Sequence, residues 1–94
     1  MQTATIVEKE NIGGLKFAQR EVLSSAEEMK QRNADLLQAT RLGNAYHGKI
    51  KIIFEAEDGV KQVETTIWAT TDKVVTLKGG VHIPIHCIHR VMIY

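Results

Sequence analysis

Cysteine, proline and aromatic residues are all scarce: one Cys, one Pro, two Phe, two Tyr and one Trp. A lone Cys87 can form no internal bridge, which excludes a disulfide scaffold and fits a reducing compartment, so a cytoplasmic location is expected. Neither sign of charge dominates, since 12 Lys and Arg stand against 11 Asp and Glu. The global positive field of a dedicated nucleic-acid binder is therefore missing. The balance holds along the chain, with six basic and six acidic residues in 1–45 and six and five in 46–94. Any charged partner must be read by a local patch. No stretch approaches the ~20 apolar residues of a spanning helix, and the first residues lack the basic-then-apolar pattern of a secretory signal. Neither export nor membrane insertion is expected. With 94 residues the chain can enclose one hydrophobic core, so residues 1–94 are read as a single domain.

Residues 1–24 give weak signals. Thr3-Ala4-Thr5-Ile6-Val7 suits a short strand, while Ile12-Gly13-Gly14-Leu15 breaks whatever surrounds it, and no element is assigned there. From residue 25 the pattern is clearer. Val22, Ala26, Met29, Leu36 and Leu37 recur at helical spacing, and Ser25 stands three before Glu28 as in a capping box. A helix over 25–42 is expected, with Glu28 paired to Arg32 one turn on and Gly43 as a left-handed C-cap near Arg41. Its stripe is narrow, which suits a helix lying on a sheet or against a second subunit.

After Lys49 the period falls to two: Ile50, Ile52, Phe54 and Ala56 on one face, Lys51, Ile53 and Glu55 on the other. Asp58-Gly59 suits a two-residue type I′ turn, which would set Glu57 opposite Val60, Phe54 opposite Val63, Ile52 opposite Thr65 and Ile50 opposite Ile67. A second hairpin turns at Lys78-Gly79-Gly80. Taken as a three-residue loop, it places Leu77 opposite Val81 and Val75 opposite Ile83. Pro84 has no N–H for a ladder and belongs at an edge or bulge. His86-Cys87-Ile88-His89 turns once, and Val91-Met92-Ile93-Tyr94 makes a last strand. The two registers put Ile52, Phe54, Val63, Ile67, Val75, Leu77, Ile83 and Ile85 on one inward face and leave Thr66 on a solvated one.

A helix, two long strands, a tight hairpin, one short turn and a closing strand, with Gly79-Gly80-Val81-His82-Ile83-Pro84-Ile85-His86 leading to Val91, resembles a Sm-like or SH3-like small β-barrel. The chain also resembles a group of short bacterial proteins. The resemblance implies a mainly β (α+β) fold: an N-terminal helix followed by a five-stranded antiparallel small barrel over 46–94. It carries no functional residue over, because Sm proteins use Asn, Asp and Gly motifs in two loops for RNA, and Asp72 or Gly79-Gly80 alone does not reproduce them. Function must be read from a site rather than from a fold.

His82, His86, His89 and Cys87 fall within eight residues, and zinc accepts all of these side chains. Four residues of extended strand nevertheless separate His82 from His86 by about 13 Å, which is too far for a shared ion. No metal site and no cofactor are expected, and Cys87 reads as a small buried residue. No phosphate loop and no nucleophile–base pair are signalled, so the chain is not expected to be an enzyme. The outward face of the first hairpin offers the candidate binding residues Lys49, Lys51 and Trp68, with Lys49 opposite Trp68 and Lys51 opposite Thr66. Lysines beside an exposed indole can stack a base or hold a peptide. Burial of Trp68 under the helix is the competing expectation. Two functions follow: an interaction module that binds a protein partner or assembles with itself, and binding of RNA or single-stranded DNA.

Overall fold

The computed structural model describes residues 4–93. Thr3, in the unassigned stretch that suits a short strand, and Tyr94, in the expected last strand, lie outside the described residues. The strands are β1 (Thr5–Ile6), β2 (Ile50–Ala56), β3 (Gly59–Thr65), β4 (Ile67–Thr70), β5 (Val74–Leu77), β6 (Val81–Pro84) and β7 (Ile88–Ile93). One α-helix, α1 (Ala26–Tyr46), precedes β2, and 3-10 turns occupy Lys9–Gly14 and Ile85–Cys87. The result is a mixed α+β architecture, mostly β, in two sheets of order β1-β3-β2-β7 and β4-β5-β6. The expected five-stranded barrel is corrected in two respects. The described strands form no closed barrel, and the chain passes from one sheet to the other at Thr66, between β3 and β4. The helix is also not the first element, since β1 and a 3-10 turn come before it.

The start of α1 follows the capping signal. The Glu28 N–H donates to Ser25 Oγ at 3.1 Å, and the Ser25 hydroxyl donates to the Glu28 carboxylate at 3.0 Å. Its end does not follow the glycine signal. Gly43 is buried inside the helix, where a Cβ would collide with the Ile67 carbonyl oxygen and sit 3.1 Å from the Thr66 methyl. The missing side chain thus serves close approach to β4 rather than capping. The cap is His47, left-handed at φ 54° and ψ 32°, whose N–H donates to the Gly43 carbonyl at 3.0 Å. Two threonines tie the same end down: Thr40 Oγ1 meets Thr70 Oγ1 at 2.7 Å, and Thr66 Oγ1 donates to the His47 carbonyl at 3.3 Å. Thr66 is accordingly buried at 5% exposure instead of solvated.

Both hairpins form. In the second, Leu77 pairs with Val81 and Val75 with Ile83, as the three-residue loop requires. In the first, the loop is Glu57-Asp58 and Gly59 already pairs with Ala56. Ile52 therefore faces Val63, Phe54 faces Lys61 and Ile50 faces Thr65, two positions from the expected register. A type I′ turn needs positive φ at Asp58 as well as Gly59, and His47 is the only non-glycine with positive φ among the described residues. Moving a loop by one residue moves every pairing by two, so the faces survive. All eight expected inward residues are buried, from Ile52 and Phe54 at 0% to Ile85 at 7%. Ile12, Leu36, Cys87 and Ile88 complete the same core.

Candidate functional site

Lys49, Lys51 and Trp68 do not share one ladder. Lys51 on β2 pairs with Glu64 on β3, and Trp68 lies on β4 in the other sheet. Lys49 precedes β2 and lines a polar cleft with His47, Glu64 and Lys78. The register that placed Lys49 opposite Trp68 is thereby corrected, because the bend at Thr66 turns the chain away before the indole is reached. Trp68 is not packed under α1 either, since it is 48% exposed.

The histidines separate into three environments. His82 Nδ1 meets Thr76 Oγ1 at 3.0 Å on the surface, His86 Nε2 meets the Ala18 carbonyl at 2.7 Å, and His89 Nε2 meets Glu55 Oε1 at 2.9 Å. The outer oxygen of Glu55 accepts from Arg20 at 2.7 Å. Among the described residues no three His, Cys, Asp or Glu side chains are placed to hold a metal ion. Cys87 is fully buried, its thiol donates to the Pro84 carbonyl at 3.1 Å, and burial pushes its pKa up to about 11. A neutral, enclosed thiol is a poor nucleophile.

Two adjoining clefts lie between α1 and the β4–β5 turn. One cleft of about 500 Å³ is lined by Met29, Arg32, Lys73, Pro84 and His86 among others. A second, of about 350 Å³, shares Asn33, Asp72 and Ile85 with it and extends to Leu37 and Thr70. The helix and the second sheet place these walls, because Gly43, Thr40 and Thr66 fix how α1 lies on β4.

Arg32 forms part of the larger cleft and is only 5% exposed. Its expected partner was Glu28, one turn away; instead it turns inward and binds Glu21 on the segment ahead of α1. Nη1 donates to Glu21 Oε2 at 2.8 Å, Nη2 to Oε1 at 2.6 Å, and Nη1 also to the Ile88 carbonyl at 3.0 Å. A bidentate pair of this kind is strong and directional. The Arg32 hydrogen bonds hold the Glu21 carboxyl below its ordinary pKa, with burial opposing them. Nε is enclosed and has no hydrogen-bond partner among the described residues. One sequence signal pointed to this residue: position 32 falls on the same helical stripe as Leu36 and Ala39, so a charged side chain there must turn inward and find an acid. Leu37, assigned to that stripe, is 53% exposed at the rim of the smaller cleft.

Comparison with protein-family models, curated proteins and solved structures found no match. No helix among the described residues is long and apolar enough to cross a membrane.

Proposed function

We propose that the chain is a non-catalytic interaction module, an open two-sheet fold with a strand order of the Sm-like or SH3-like kind, that works in the cytoplasm by binding a protein partner. The barrel-type reading draws support from the order of β2 through β7, with a 3-10 turn before the last strand and a bend at Thr66 that lets consecutive strands serve both sheets. The observation that carries the binding reading is where exposed apolar side chains sit. Of the four large ones among the described residues, Leu37 and Tyr46 lie on α1 and Trp68 on β4, against which α1 packs. Apolar side chains left exposed on α1 and its partner strand, with Leu37 at the rim of a cleft, suit a protein interface. A partner is favoured over self-assembly through sheet edges. Of the four edge strands, β4 and β7 pack against α1, β6 packs against the 3-10 turn Lys9–Gly14 and ends in Pro84, and the exposed β1 is only 2 residues long.

Affinity capture from a lysate of the native cells, with light scattering on the pure protein, tests the proposal. The expected result is a discrete partner, lost when Leu37→Ser and Trp68→Ser are combined in a variant that still folds. A monomer that retains nothing would contradict it. The alternative, RNA or single-stranded DNA binding through Lys49, Lys51 and Trp68, has lost the register that grouped those residues. It predicts salt-dependent retention of random oligonucleotides that weakens in Trp68→Ser.

A further inference from the structure

β7 does not cover the whole of β2. The two strands pair from Ile50 with Ile93 to Phe54 with Ile88, and a 3-10 turn, Ile85–Cys87, replaces extended chain just before β7. β3 holds the other edge of β2 as far as Ala56. The edge that β7 leaves open is taken by the segment ahead of α1. Phe17 bridges Ala56, the Ala18 N–H donates to the Glu55 carbonyl at 3.0 Å, and the Glu57 N–H donates to the Lys16 carbonyl at 2.8 Å. A few residues thus stand in for a missing strand.

This segment is fastened more firmly at its ends than in its middle. On one side Ile12 is fully buried in the core, and on the other Glu21 accepts two hydrogen bonds from the Arg32 guanidinium. Between them, in residues 15–20, only Ala18 is buried; Leu15 and Phe17 are half-buried against the core, and Lys16, Gln19 and Arg20 are exposed. The ion pair from Arg20 to Glu55, at 2.7 Å, has its arginine side chain 63% exposed, so it adds little to the hold. Gly13 and Gly14 adjoin the segment, and at neither would a Cβ find a neighbour within 4 Å, so contacts do not restrain the chain there.

Lifting residues 15–20 also strands no buried charge. Arg32 keeps Glu21, and Glu55 keeps His89 at 2.9 Å. His86 loses the Ala18 carbonyl, but its ring is half-buried and water replaces that partner. Local openings of this kind lie below global unfolding in free energy wherever few apolar contacts and exposed hydrogen bonds hold a segment. What is uncovered is the backbone of 55–57 beside Phe54, a strand edge with free N–H and C=O groups that can pair with another extended segment.

We propose that residues 15–20 form a flap that lifts while both sheets stay folded, and that it gates the β2 edge at 55–57. Its closed state is the one in the structure, with the chain's own residues 16–18 on the edge.

Native-state hydrogen exchange by NMR on the full chain tests the flap, because the Ala18 and Glu57 amides donate across its seam in opposite directions. The two are expected to share one opening and to be protected about a hundredfold less than the ladder amides between β2 and β3. Val22, whose N–H donates to the His86 carbonyl beyond the Glu21 clamp, should keep more protection than Ala18. Arg20→Gln, at an exposed position, should speed exchange at Ala18 and Glu57 together by about two- to fivefold. Sodium chloride at about 1 M should do the same in the unaltered chain and nothing further in Arg20→Gln. Phe17→Ala, which removes the ring packed against Phe54, should speed both by about tenfold and leave the ladder amides unchanged. Protection at Ala18 and Glu57 equal to that of the ladder amides overturns the proposal, because the segment then opens only with the whole fold. Unrelated rates at the two amides, or no response of either to Arg20→Gln, overturn it as well.

Discussion

In the hairpin β5–β6, Gly79 and Gly80 have φ of 92° and 84° and both lie in the loop; in the hairpin β2–β3, Gly59 has φ of 137° and belongs to the ladder, paired with Ala56. The first pair sits close to the left-handed region that a tight three-residue loop needs, and it marks the loop unambiguously. Gly59 instead takes an extended, glycine-specific conformation just after a loop of two residues with negative φ. An Asp-Gly pair therefore marks where a hairpin turns to within one residue, and two glycines together mark it to the residue. The error is harmless to the core, because shifting the loop by one shifts the pairing by two and keeps Ile52, Phe54 and Val63 inside. It is not harmless to the surface, since Lys51 meets Glu64 instead of Thr66.

The contrast can be broken most severely at Phe54, which is fully buried in the first hairpin and meets Phe17 with ring centroids 6.0 Å apart. Phe54→Ala should cost about 3 to 5 kcal/mol in chemical denaturation. A loss under about 1 kcal/mol would mean that this face is not the core. The joint between the sheets comes next. Gly43→Ala should cost about 2 to 3 kcal/mol, because the Ile67 carbonyl that the new methyl would strike is backbone and cannot swing aside. A helix that ended at Arg41, with Gly43 as its cap, would make the same change far milder.

Asparagine separates the two kinds of hairpin glycine, since it tolerates left-handed φ near 60° but not the region of Gly59. Gly59→Asn is expected to cost about 1 to 2 kcal/mol and Gly80→Asn distinctly less. Equal costs would erase the distinction between loop and ladder glycine. The smallest effect concerns Glu21. Its folded pKa lies below the ordinary 4.5 because Arg32 donates to it, so its contribution to stability is present above about pH 4.5 and is lost as pH falls through the lower folded value. Glu21→Gln should lower stability at neutral pH and flatten the acid limb below pH 4.5, as read by thermal unfolding across pH. An unchanged acid limb would show that the pair with Arg32 does not form in solution.

Much of the inside of this protein was legible from period and punctuation. The alternation from Ile50 to Ala56, the Ser25 cap and the Gly79-Gly80 loop are local signals, and each appears in the structure where it was expected. What escaped depends on residues far apart in the chain. Thr5–Ile6 pairs in parallel with Lys61 and Gln62, a contact that two residues cannot announce. The bend at Thr66 has no glycine or proline to mark it, and it coincides with the place where α1 docks through Gly43 and Thr40. For the same reason Gly43 read as a cap: a glycine near the end of a helical pattern looks alike whether its φ or its missing Cβ is what matters. The cleft was hidden because its walls come from α1, the β4–β5 turn and the end of β6, which only the packing brings together. Arg32 read as the partner of Glu28 one turn away, because its acid partner in the structure lies 11 residues earlier, outside any helical spacing.

The register of the first hairpin decides the dispersal of Lys49, Lys51 and Trp68, and cross-strand backbone-proton contacts in NMR, α–α in the non-hydrogen-bonded pairs and amide–amide in the hydrogen-bonded ones, read it directly. The structure predicts contacts that pair Ile52 with Val63 and Lys51 with Glu64. Contacts pairing Phe54 with Val63 and Lys51 with Thr66 would contradict it and bring Lys49 back opposite Trp68.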